Sequence, residues 1–126
     1  MNANRLGQHI VAVGALLAGL PSQAQLSVDP MLAAEAQVEA DHRVIAARCG
    51  SPAFEKQFFF NSQGAVRAGL VSKRKTPAEV EKLITMQRRN PFVLVAVNAD
   101  CPAQLDRLKQ VMKGRGQAIG ASRKKR

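Results

Sequence analysis

Cys49, Cys101, His42 and the carboxylate pairs Glu35–Glu39 and Glu79–Glu81 are the side chains equipped for chemistry in this sequence. Their spacing decides which chemistry. The two cysteines allow one intramolecular pairing, and an even count in an oxidising compartment makes a disulfide the expectation. Cys49 joined to Cys101 would close a loop of about fifty residues, worth roughly 4 kcal/mol on the chain-entropy account. The rival role is a reactive thiolate, since Cys101 precedes Pro102 at what looks like a helix start, where a cysteine pKa falls. There is no C-x-x-C spacing to support redox work. The disulfide is therefore expected.

His42 stands alone beyond His9. A zinc site needs several nitrogen or thiolate ligands, and paired cysteines would supply none. No G-x-S-x-G or comparable element offers a nucleophile for His42 to activate. The carboxylates also have ordinary work to do. Glu39 and Arg43 are spaced as an i,i+4 ion pair, and Glu79 completes a capping box. A glycosidase needs two carboxylates across a cleft several ångströms wide, for which a short helical domain leaves little room. Gly114 and Gly116 follow a helix pattern and do not open one, so they form no phosphate loop. No catalytic residue, metal ligand or cofactor is expected.

These side chains must be positioned by what surrounds them. Arg5, the apolar run Ile10–Leu20, Pro21, and small residues at Ser22 and Ala24 form the pattern of a removable secretory signal over residues 1–24. The apolar run is about half the ~20 residues that a membrane-spanning helix needs. Removal would leave about a hundred residues, enough for one domain with a modest core. The expected location is the periplasm or the extracellular space. Residues 25–114 are read as the domain and 115–126 as a basic disordered tail, given the glycines and terminal cations of GRGQAIGASRKKR.

Within the domain, Asp29-Pro30 opens a helix that Gly50 stops, with Met31, Ala34, Val38, His42, Ile45 and Cys49 on one stripe. Ser51-Pro52 opens a second, carrying Phe54 and Phe58 four residues apart, with Phe59 and Phe60 extending its apolar surface. Thr76-Pro77-Ala78-Glu79 is a capping box that starts a third, buried through Val80, Leu83 and Ile84. Arg88 and Arg89 would serve its last turn. Asn90-Pro91 breaks that helix. Pro102–Lys113 is a fourth, with Leu105, Leu108 and Met112 inward and Gly114 closing it. Residues 65–71 and 92–97 read either as helix or as short strand, with mostly helix favoured and room for one short strand pair between them. The expected class is mainly α, with about four helices tied by the disulfide.

Charge is unevenly spread across a chain of formal net charge +10. Residues 27–55 hold five carboxylates against two arginines; residues 56–126 hold sixteen Lys and Arg against four carboxylates. That asymmetry points to an anionic partner. The candidate contacts are Arg67, Lys73, Arg74, Lys75, Arg88, Arg89, Arg123, Lys124, Lys125 and Arg126. Nucleic acid is disfavoured because phenylalanine is the sole aromatic type and no groove-reading motif is present. The expectation is a non-catalytic exported binding protein meeting an acidic protein, such as an inhibitor, a toxin neutraliser or an accessory subunit of an envelope complex. The alternative is an envelope-surface protein whose basic tail holds anionic lipid or polysaccharide.

Overall fold

A computed structural model of the chain describes residues 28–125 together with Gly14. Arg126 and, Gly14 apart, the signal segment expected at 1–24 lie outside the described residues.

Five α-helices follow one another: α1 (Pro30–Cys49), α2 (Pro52–Arg67), α3 (Pro77–Met86), α4 (Pro91–Leu94) and α5 (Cys101–Lys124), the last entered through a 3-10 turn at Asn98–Asp100. The cap-plus-proline signals explain four of these starts. Asp29 accepts from the Met31 amide, Ser51 from Phe54, and Asn90 from Phe92. Thr76 accepts from the Glu79 amide while Glu79 accepts from the Thr76 amide. Each proline occupies a first-turn position whose N–H would have had no helical partner.

α1 is the central element, touching α2, α3, α4 and α5. Its neighbours divide it into two cores. Leu32, Ala36 and Ala40 of α1 meet Val66, Val80 and Ile84 at one end. Ile45 and Ala46 meet Phe58, Val95 and Leu108 at the other, with Cys49 and Cys101 packed against them. The cysteines are joined, with their Cα atoms 5.1 Å apart. The loop between them spans 52 residues, so closing it restricts the unfolded chain by roughly 4 kcal/mol. Gly50, beside the bridge, is required by space. A Cβ there would lie 2.6 Å from the Ala46 carbonyl oxygen and 2.6 Å from the Phe54 ring.

The fold is mainly helical, as expected, and four local points complete or correct the reading, the first being that the optional strand pair is not taken up. No strand occurs among the described residues. Residues 65–67 continue α2 with Ala65 and Val66 buried, and Gly69, at φ 73°, turns the chain out of it. With no partner available, residues 92–97 form α4 and an extended exit in which Val95 is buried while Phe92 and Val93 are exposed. The α1 stripe is also rotated: Leu32, Ala36 and Ala40 are buried, whereas Met31 is 58 % and Val38 54 % exposed. A helix with neighbours on several sides selects small side chains for close approach, so the largest apolar side chains need not mark its inner face.

The third point lies at the end of α3. Arg88 and Arg89 fall beyond its last residue, Met86, and do not cap its dipole. The fourth concerns α5, which passes Gly114 and stays helical to Lys124, so the expected disordered stretch is helical over 115–124. Two forces offset the cost of its glycines. Arg115 is bonded to Glu39 and Asn61 on neighbouring helices, and Arg123 and Lys124 face the negative end of the helix dipole.

Candidate functional site

Between the two cores lies a chain of buried and half-buried charges. Glu39 is 2 % exposed and Ser62 is fully buried. The Ser62 hydroxyl donates to Glu39 Oε1 at 2.5 Å and accepts from Arg43 Nε at 2.7 Å. Arg43 then donates both Nη groups to the Glu81 carboxylate, at 2.5 and 2.8 Å. On the other side, Arg115 Nη2 donates to Glu39 Oε2 while its Nη1 donates to Asn61 Oδ1 at 3.2 Å. The chain ties α1, α2, α3 and α5 together. The i,i+4 pair expected between Glu39 and Arg43 does not form: Ser62 stands between them, and each binds a partner from a distant helix.

Burial alone would raise the Glu39 carboxyl. The His42 ring, the Arg115 guanidinium and the Ser62 hydroxyl pull harder, holding it at about 2. His42 Nδ1 stands 3.7 Å from Glu39 Oε2, an approach longer than a hydrogen bond, and its ring meets Phe58 edge-on. No nucleophile–base pair emerges from this arrangement, because Ser62 is committed on both sides and sealed from solvent. Among the described residues no group of His, Cys, Asp and Glu could hold a metal ion.

The expected anion-binding residues fall into separate groups. Arg67, Lys73 and Lys75 are exposed where the chain leaves α2 and enters α3. Arg74, between them and also exposed, is paired with Asp29 and Glu35 at 3.4 Å each. α3 then carries the chain roughly 15 Å away before Arg88 and Arg89 appear. Arg89, itself exposed, is paired with Asp41, which raises its pKa, whereas the exposed Arg88 has no salt-bridge partner among the described residues. Arg123, Lys124 and Lys125 are exposed at the end of α5. Arg126 is outside the described residues.

Arg88 also belongs to a feature the sequence reading missed. α2 and α3 both pack on α1, share a cluster through Val66 and Val80, and leave a gap between them toward Pro52 and Arg88. The opening is a cleft of about 580 Å³. One strip of each helix lines it, with i, i+3, i+4, i+7 spacing on α1 and α2. α1 gives Ala40, Arg43, Val44 and Ala47; α2 gives Pro52, Glu55, Lys56 and Phe59, with Phe58 behind; α3 gives Glu81, Ile84 and Thr85, and Arg88 follows just beyond its end. Ala40 and Ala47 make the floor deep because neither fills the gap between α2 and α3. Each strip is readable in the sequence, but only the tertiary fold shows that the three converge.

Comparison of the chain with protein-family models, with curated proteins and with solved structures gives no match.

Proposed function

We propose that this chain is an exported, non-catalytic binding protein that meets an acidic protein partner through Arg67, Lys73 and Lys75 at the α2–α3 turn. One contrast carries the reading. Arg43, Arg74, Arg89 and Arg115 each have a carboxylate within salt-bridge distance, whereas these three exposed cations have none among the described residues. A cation left unpaired at the surface costs little there and steers an anionic partner toward it. Export is supported by the signal-like pattern of residues 1–24 and by the Cys49–Cys101 disulfide, which is consistent with an oxidising compartment. No helix among the described residues is long and apolar enough to cross a membrane.

The test is capture from the envelope extract of the native host, with the unaltered chain and an Arg67→Glu/Lys73→Glu/Lys75→Glu variant side by side. The expected result is an acidic protein retained by the first, released by salt, and lost by the second. Equal retention by both would overturn this assignment of the surface. A second reading places an anionic membrane surface at Arg123, Lys124 and Lys125, which crowd onto one exposed helix end. Removal of residues 121–126 would abolish vesicle binding under that reading and leave protein capture intact under the first.

A further inference from the structure

The cleft between α1, α2 and α3 goes beyond the protein-partner reading, because its shape and charge suit a small molecule. Its volume of about 580 Å³ lies within the roughly 300–1,000 Å³ range of small-molecule sites. Its accessible apolar surface is Ala47, Pro52 and Phe59, with Ala40, Val44, Ile84 and Phe58 buried beneath. Aliphatic and aromatic walls favour an apolar body, since such a body releases water from both surfaces.

Charge defines the other end of the ligand. Five ionisable side chains line the cleft. Arg43 and Glu81 neutralise each other through a two-pronged ion pair. That leaves Lys56 and Arg88 against Glu55, none of which has a salt-bridge partner among the described residues. Two cations against one carboxylate leave a single positive charge without an answer, the complement of one carboxylate.

We propose that this cleft binds a free amphipathic monocarboxylate, with its apolar body against Ala47, Pro52 and Phe59 and its carboxylate between Lys56 and Arg88. The probe is dodecanoate titrated calorimetrically into the full chain below its micelle concentration. Dodecylammonium serves as the charge-reversed control, and a short Leu-Asp-Leu peptide offers the same group on a segment of protein. The expected result is saturable one-to-one dodecanoate binding that is at least tenfold tighter than that of the ammonium. Lys56→Glu/Arg88→Glu should weaken it at least tenfold while leaving the thermal midpoint unchanged, since both side chains are exposed. Ala47→Phe, which fills the floor, should abolish it. Absence of saturable binding would overturn the proposal, as would equal affinity for the ammonium or an unchanged affinity in the double variant. Saturation by the peptide alone would overturn it too, and would return the cleft to a protein partner. Because Arg67, Lys73 and Lys75 are untouched in these variants, failure here leaves the acidic-partner reading standing.

Discussion

Arg115 and Arg88 carry the same guanidinium and face opposite ways. Arg115 is nearly enclosed, with side-chain exposure of 11 %, and spends its charge on Glu39 and Asn61. Arg88 is exposed at the mouth of a cleft. Inward cations hold helices together, and outward cations are available to a ligand. The net charge of a basic chain therefore says little about how much of that charge can meet a partner. Arg74 and Arg89 make the same point, since each lies in a basic run and each is turned back to a carboxylate of α1 or of its N-cap.

The sharpest way to break the comparison is to remove an inward cation. Arg115→Met should destabilise the chain by about 3–5 kcal/mol, because it strands the Glu39 carboxylate in the interior; urea unfolding at neutral pH measures this. Acid offers the same break without mutation. A Glu39 carboxyl held at about 2, against 4.5 for an ordinary glutamate, stabilises the fold fully above the unfolded value and progressively less as pH falls toward the folded one. The loss from this group is on the order of 3 kcal/mol between pH 6 and pH 2, readable as a falling thermal midpoint. Glu81→Gln should cost less, about 1–2 kcal/mol, because Glu81 is partly exposed and water can replace it beside Arg43. Arg88→Glu should move unfolding by less than about 0.5 kcal/mol, whatever it does to binding. An Arg88→Glu variant as unstable as Arg115→Met would erase the distinction between the two classes.

Features set by neighbours in the chain were legible before the fold was known. The caps at Asp29, Ser51 and Thr76, the prolines that follow them, and the helical class all rest on local chemistry. The Cys49–Cys101 bridge was legible for a different reason, since two cysteines allow one pairing. What could not be read depended on distant contacts. Glu39 looked like a surface partner of Arg43 because an i,i+4 spacing gives no hint of Arg115, 76 residues away. Gly114 looked like a stop because its sequence context does not show that the next residue is anchored to α1 and α2. Val38, read on the inner stripe, is exposed while Ala36, outside that stripe, is buried, for a related reason: crowding by several helices favours small side chains. The cleft was hidden in the same way, as three ordinary helix strips that acquire meaning where they meet.

The division between inward and outward charge is tested most directly by melting the unaltered chain and Arg115→Met at pH 7 and again at pH 2. The account requires a gap of more than about 10 °C at pH 7, shrinking to a small fraction of that at pH 2, where Glu39 is half protonated in the unaltered chain and its ion pair adds little stability. A gap of equal size at both pH values, or none at pH 7, would contradict it.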